Sequence, residues 1–396
     1  MRRTIYLAIL VCLFLASCSS STGAGNSATT PVTTTDTSKQ AGDTLVDTGS
    51  AGIPGIKLPP GFHISVYANG LHVPRFMTIG PKRSLLVANR AEGTIVAYPA
   101  GASEEKAGAP VIVVSNLHDP TSLVMYEGNL YVGEASSIAR MPIEDTLKAG
   151  AITRIITDLP EGGQHSTRTV LIGADKHIYV ASGSDCNVCQ EQDPHRAAVW
   201  RYNLDGTQGQ LYSKGLRNAV GLANNPWTGT VWASNNGRDL LGDDIPPETI
   251  NELSAGADFG WPRCHAGNIA DPQFGQGSSA CQGVQQPLVK MQAHSAPLGL
   301  EFYPQNSPQF PTKYQNNLYV AFHGSWNRST PTGYKIVRIP LQDGKVSGPA
   351  EDFAVGWLTS DGKHSGRPTG ITFGEDGSMF VSDDEQGEIY HIWYHA

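Results

Sequence analysis

The sequence predicts an all-β fold, a six-bladed β-propeller, and three observations carry that expectation: the composition, a strand pattern that recurs six times, and a second pattern that precedes each copy. Glycine (44 residues) and proline (26) are plentiful, while charged residues make up only 16%. That mixture suits many short strands joined by tight turns and is poor material for long surface helices. A chain of 396 residues could hold two average domains, but a large closed all-β unit also reaches this size. The formal net charge of −8 comes with no basic stripe, which argues against nucleic acid as a partner.

Residues 1–18 read as a targeting segment. Arg2 and Arg3 precede an apolar run from Ile5 to Ala16 that is too short to serve as a mature membrane span. It ends Leu15-Ala16-Ser17-Cys18, which resembles a bacterial lipobox with Cys18 as the lipidated residue. The other reading is an ordinary secretory signal with an incidental cysteine. Ser19 after the cysteine fits sorting to the outer membrane, so the protein is expected to be exported, held by its lipid and facing the periplasm. Residues 19–54 are rich in Ser, Thr, Gly and Ala and poor in large apolar side chains, the composition of a flexible tether. The propeller is expected over 55–396.

The recurring strand appears as Leu85–Ala88, Leu130–Gly133, Ile178–Ala181, Val231–Ser234, Leu318–Ala321 and Met379–Ser382. A follow-on strand stands after most copies: Thr94–Tyr98, Ser137–Met141, Ala198–Tyr202, Tyr334–Ile339 and Glu388–Trp393. Turns such as Gly128-Asn129, Asp205-Gly206 and Asp376-Gly377 carry residues that tolerate positive φ. A sandwich would also explain the strands, but not their periodic return.

About ten residues before each copy, a polar residue and a small residue or proline lead into another apolar strand. The instances begin at Pro74-Arg75, Asp119-Pro120, His165-Ser166-Thr167-Arg168, Arg217-Asn218, His294-Ser295 and Arg367-Pro368. If these are the innermost strands, their starts converge on one mouth of the central channel. That mouth would gather Arg75, His165, Arg168, Arg217, His294 and Arg367, a cationic cluster suited to an anionic ligand. Taken singly, each arginine could instead pair with an acid of a neighbouring blade.

With Cys12 in the signal and Cys18 given to lipid, Cys186, Cys189, Cys264 and Cys281 remain, and an oxidising compartment favours two disulfides. Local pairing, 186 with 189 and 264 with 281, is expected, with a redox pair or half a zinc site as the alternative for the C-x-x-C. The stretch from Asn235 to Asn251 packs Asp239, Asp243, Asp244 and Glu248 into a Gly- and Pro-rich loop of the kind that holds calcium, although its spacing is not that of an EF-hand. A solvated acidic loop is the bland alternative.

Several segments together resemble the soluble pyrroloquinoline-quinone-dependent glucose, sorbosone and aldose dehydrogenases. They are Gly163-Gln164-His165-Ser166-Thr167-Arg168, Gly183–Cys189, Gly215–Leu222 running into the acidic loop, Asp258–Pro262, Ala293–Gly299, His323–Arg328 and Gly366–Gly370. The resemblance covers about 55 to 396. It implies a sugar substrate, pyrroloquinoline quinone and Ca2+ as cofactors, and an electron acceptor of unknown identity. It implies that His165 is the general base and Arg217 the residue facing charge on the quinone. Asn218, Arg367, Arg328 and His294 would contact the cofactor, and the backbone of Gly237 and Arg238 would hold calcium, with Asp243, Asp244 and Glu248 shaping the loop or holding a second ion. Gln164 stands where some glucose dehydrogenases have aspartate, and no lysine occurs between Val320 and Asn327. Both departures point to the sorbosone or aldose side of the family. Competing expectations are a calcium-dependent lactonase and a non-catalytic carbohydrate-binding propeller.

Overall fold

The computed structural model describes residues 43–49, 52–101 and 106–395. The expected signal segment, Cys18 and most of the expected tether lie outside the described residues. The chain from Asp43 onward forms six blades, each a sheet of four or five strands, antiparallel except where Ala257–Asp258 joins the third blade in parallel. The protein is a six-bladed β-propeller.

The innermost strands are Pro74–Ile79, Ser122–Tyr126, Arg168–Ile172, Ala219–Asn224, Pro297–Phe302 and Pro368–Phe373, and each packs against the innermost strands of both neighbouring blades. These are the strands whose starts the sequence marked. The second strands, Leu85–Asn89, Asn129–Gly133, Ile178–Ser182, Val231–Asn235, Asn317–Phe322 and Met379–Asp383, contain the recurring apolar motif. Their side chains are buried almost throughout, because both faces of a blade are covered by its neighbours.

Six strands can crowd one axis only if side chains are absent where backbones meet. A Cβ on Gly221 would lie 2.3 Å from the Leu298 carbonyl, one on Gly299 2.8 Å from the Thr369 carbonyl, and one on Gly370 2.8 Å from the Arg75 carbonyl. Glycine is needed at these inner positions for that reason. Hydroxyl groups then tie blade to blade. Ser382 donates to the Arg75 carbonyl, Thr121 and Ser122 to the Arg168 carbonyl, Thr169 to the Val220 carbonyl and Ser234 to the Leu298 carbonyl.

The ring is closed by the N-terminal strand Phe62–Ala68, which pairs with the C-terminal strand Glu388–Tyr394 as the outer edge of the sixth blade. Phe62 anchors this seam with edge-on ring contacts to Phe310, Tyr314, Phe353 and Tyr394 at 4.8–5.2 Å. Residues 43–49 and 52–54, part of the stretch expected to be a tether, make defined contacts. Val46–Asp47 pairs with Lys57–Leu58, and the Asp43 carboxylate meets Lys313, Tyr314 and Arg338. Charged contacts at Asp43 and the packing of Ile53 against the core hold this segment.

Between the third and fourth strands of the fourth blade the chain makes a long excursion. It adds Ala257–Asp258 to the edge of the third blade and forms a small ribbon, Cys264–His265 with Ile269–Ala270. The Cys264–Cys281 disulfide staples it, and Cys186–Cys189 is the second bridge, so both expected local pairings are present.

Phe62→Ala should lower stability by about 3–5 kcal/mol and bring down the urea midpoint, since it empties the closing seam. A midpoint equal to that of the unsubstituted protein would show that closure does not depend on this ring.

Candidate active site

Antiparallel order fixes which loops meet at the mouth. Each innermost strand starts there and runs down the axis, so each second strand returns to the same end. The connections that follow the second strands therefore surround the mouth. They are tight in the first, second and sixth blades. They are long in the third, fourth and fifth, where they run from Gly183, Asn236 and His323. Glycine and proline in the fourth- and fifth-blade segments, and the short disulfide ring in the third, suit such non-repeating paths.

His165 lies just ahead of the innermost strand of the third blade. Its Nδ1 is 3.0 Å from the Ser184 carbonyl oxygen and 2.9 Å from Ser184 Oγ. A carbonyl only accepts, and Ser184 Oγ gives its single proton to the Cys186 carbonyl at 2.6 Å. The ring proton therefore sits on Nδ1, and Nε2 presents a lone pair with no partner among the described residues. Burial lowers the imidazole pKa to about 3, with Arg217 and Arg196 acting in the same direction. The ring is neutral because it is desolvated beside cations. Gly183 makes room for it, since a Cβ there would stand 2.5 Å from His165 Cβ and 2.4 Å from Asn218 Oδ1.

Arg217, buried at the start of the fourth blade, is held on three sides. Its Nε donates to the Asn187 carbonyl at 3.0 Å, and Nη2 donates to Asn187 Oδ1 at 3.1 Å and to Asp239 Oδ2 at 2.6 Å. Its Nη1 donates to nothing among the described residues. Asp239 in turn accepts from Asn327 Nδ2 at 3.1 Å. His294 donates from Nε2 to the Gly242 carbonyl at 2.8 Å, which leaves its Nδ1 facing the Asn327 amide at 3.4 Å. The Asn218 side chain, half-buried, makes no hydrogen bond among the described residues.

In the acidic loop the carboxylates do not converge. Asp243 takes the backbone and hydroxyl protons of Ser329, and its carbonyl accepts from Arg328 Nη1. The Asp244 side chain is 91% exposed, 3.5 Å from Arg328. Glu248 is buried elsewhere and accepts from the Gly237 N–H at 2.6 Å; burial pushes its pKa up to about 7. A metal cage built from Asp243, Asp244 and Glu248 is thus not formed, because the first two are spent fastening this loop to that of the fifth blade. Arg328 serves the same fastening and also reaches the Ala293 and Thr330 carbonyls, which commits it away from a cofactor role. The carbonyl oxygens of Gly237 and Arg238 accept no hydrogen bond among the described residues. The Arg238 side chain is turned away to Asp271, which also binds His265 at 2.7 Å.

The expected cluster of uncompensated cations needs correcting. Arg75 is paired with Asp384 at 2.6 Å, and the same carboxylate takes His323 Nε2 at 2.8 Å. Arg217 is paired with Asp239. Arg168 points into the protein, donating to the carbonyls of His165, Thr167 and Pro160, so it braces the His165 segment rather than the mouth. Among the described residues, Arg367 is the one inner-strand arginine at the mouth that meets no carboxylate, and it is partly accessible. It donates from Nε and Nη2 to the carbonyls of His323 and Gly324, leaving Nη1 uncommitted.

Sequence reasoning missed Asn187, Ser184, Asn327 and Asp384. The C-x-x-C spacing marked the loop that carries Asn187, but nothing in it showed where that amide points.

What the mouth offers is a neutral imidazole, two guanidinium Nη1 groups, an uncommitted amide and two adjacent bare carbonyls. Asn327 Oδ1 is also buried with no hydrogen-bond partner. Unclaimed donors suit carboxylates and quinone oxygens, and unclaimed carbonyl acceptors suit a hard cation. The residues present therefore fit a quinone tricarboxylate with calcium.

Residues 56–395 match the family model described as TrAA12-like. The chain is 25% identical, over 84% of its length, to the pyrroloquinoline quinone-dependent pyranose dehydrogenase of Coprinopsis cinerea, and spans about half (54%) of that protein. It is 24% identical, over 83% of its length, to the pyrroloquinoline quinone-dependent sugar dehydrogenase of Hypocrea jecorina, of which it spans 87%. Among solved structures it is similar to a calcium structure of a Trichoderma reesei carbohydrate-active enzyme of family AA12, with a TM-score of 0.76 and 20% identity, covering 88% of this chain and 100% of that one. At that identity the likeness establishes the fold.

The neutral His165 has a consequence for stability. An unfolded histidine takes its proton near pH 6.5, whereas the folded ring resists protonation down to about 3. Between those values the unfolded state binds the extra proton, so this group's contribution falls as pH drops below about 6.5 and levels off under the folded value. His165→Gln should make the loss of stability on the acid side shallower, measured as urea midpoints at about pH 6 and pH 4. An unchanged slope would contradict a buried neutral ring.

Proposed function

Since the chain belongs to the TrAA12-like family, we propose that it oxidises a sugar with pyrroloquinoline quinone and calcium, with His165 as the general base. The observation that carries this reading is the forced tautomer of His165, which aims a proton-accepting Nε2 away from Ser184 while the uncommitted Nη1 of Arg217 lies in the same neighbourhood.

The bound quinone supplies the two-electron acceptor for the hydride that leaves the sugar carbon. His165 Nε2 takes the proton of the sugar hydroxyl, and Ser184 holds the ring by Nδ1 while it does so. Desolvation keeps the ring unprotonated beforehand, so it is ready to accept. Arg217 Nη1 stabilises negative charge on a bound oxygen, and the Asp239 carboxylate keeps the guanidinium charged in its buried position. Arg367 Nη1 and the Asn218 amide hold cofactor carboxylate or carbonyl groups, and the carbonyls of Gly237 and Arg238 hold calcium. Export and a lipid on Cys18 would place the enzyme at the outer membrane facing the periplasm, where it would pass electrons to a separate acceptor.

Purified protein given pyrroloquinoline quinone, calcium and an aldose should bleach an artificial electron acceptor. Release of acid from a lactone without any acceptor would favour a lactonase instead. His165→Ala should lower the oxidation rate by about 10²- to 10⁴-fold while still binding the quinone. Turnover equal to the unsubstituted enzyme would remove His165 from the mechanism.

A further inference from the structure

The loop closed by Cys186–Cys189 touches both reacting side chains of the proposed mechanism, and its shape does not follow from a need for global stability. It opens at Ser184, whose carbonyl and Oγ fix His165 Nδ1, and the Oγ itself is anchored on the Cys186 carbonyl at 2.6 Å. The Ser184 N–H donates back to the Arg217 carbonyl at 2.7 Å. Asn187 lies inside the disulfide ring and uses nearly all of its polar capacity on the fourth blade. Its carbonyl accepts from Arg217 Nε at 3.0 Å and from Trp261 Nε1 at 3.3 Å. Its Oδ1 accepts from Arg217 Nη2 at 3.1 Å and from the Asp239 N–H at 2.8 Å, and its Nδ2 donates to the Asp239 carbonyl at 3.1 Å. The amide therefore grips both members of the Arg217–Asp239 pair, directly after the Gly237–Arg238 backbone.

The two bridges differ in what they constrain. Cys264 and Cys281 are separated by 17 positions in sequence, Cys186 and Cys189 by 3. A ring closed over two intervening residues restricts the unfolded chain less than the longer Cys264–Cys281 ring does, so its global stabilisation is the smaller of the two. Its effect is local: it fixes the backbone of Asn187, which otherwise sits in an irregular connection with no strand to hold it. A buried guanidinium needs its acceptors fixed in direction as well as in distance.

We propose that the Cys186–Cys189 loop is the element that positions the catalytic pair, with Ser184 setting His165 and Asn187 setting Arg217 together with Asp239. Asn187 and Ser184 are positioning residues, acting through the side chains they hold. The inference rests on the reading of His165 and Arg217 as the reacting pair, and its test separates the two.

Two variants test it, Cys186→Ser/Cys189→Ser and Asn187→Ala. In cofactor-free protein, the Nε–H of Arg217, assigned by nitrogen-15 NMR, should be protected from solvent exchange in the unsubstituted chain. It should exchange about 10-fold faster or more in the double cysteine variant. With quinone and calcium, both variants should lose about 10- to 100-fold in kcat with KM for the sugar changed less than about two-fold, because the substrate's own contacts remain. If the double variant does not fold, Asn187→Ala keeps the disulfide and the carbonyl that accepts from Arg217 Nε but removes the Oδ1 acceptor of Nη2; it carries the same kinetic expectation, with the Arg217 Nη2 protons as the ones that exchange faster. Unchanged Arg217 exchange, or a loss confined to KM, overturns the proposal. Protected Arg217 exchange that the variants abolish, in a protein that binds no quinone, supports the positioning role and overturns the enzyme reading instead.

Discussion

Close approach of six backbones around one axis is the constraint on which the rest of this structure depends. It is met by leaving out side chains at Gly221, Gly299 and Gly370 and by hydroxyl groups that reach across to the carbonyls of adjacent inner strands. Once the inner strands are locked side by side, their starts form a ring of fixed diameter. His165, Arg217, His294 and Arg367 stand on that ring or just ahead of it. Residues hundreds of positions apart in sequence thus become neighbours without any direct contact being needed to bring them together. The seam at Phe62 completes the circle by joining the two ends of the propeller in one blade.

Charge at the mouth is organised by desolvation as much as by attraction. A guanidinium as buried as Arg217 costs too much without a partner, so Asp239 accompanies it, and Asp384 accompanies Arg75 in the same way. Those carboxylates reduce the net positive field but keep the arginines charged and oriented. What remains open is directional: the Nη1 groups of Arg217 and Arg367, the His165 lone pair and two carbonyl oxygens. Such a site recognises a ligand by the placement of its oxygens more than by its total charge.

The fold was legible because periodicity reports it directly. The second-strand motif fell within observed strands in all six blades, and Thr94–Tyr98 and Ala198–Tyr202 were read with their observed bounds. The inner-strand starts were legible too, since proline, glycine and polar residues mark the turn into each one. Partners were not. Nothing in the residues around Arg75 announces Asp384, which lies at the other end of the chain and arrives only through closure of the ring. Composition leaves Asp243 and Asp244 either to shape the loop or to hold an ion, because it does not reveal direction; in the structure both fasten one loop to another. Arg168 sat in the right motif but turned inward, toward carbonyls three and eight residues before it. The contacts of residues 43–49 were hidden for a similar reason: Asp43 meets Lys313 and Tyr314, which the local sequence cannot show.

Blades three, four and five supply the long loops, and with Arg367 of the sixth they carry the groups to which the proposed chemistry is assigned. The most direct test of that claim is a crystal structure grown with pyrroloquinoline quinone and calcium, read with the anomalous signal of the metal. The account predicts calcium at about 2.3–2.6 Å from the carbonyl oxygens of Gly237 and Arg238, with the quinone between it and His165. Quinone bound at another end or edge of the propeller, with the mouth left to solvent, would contradict it.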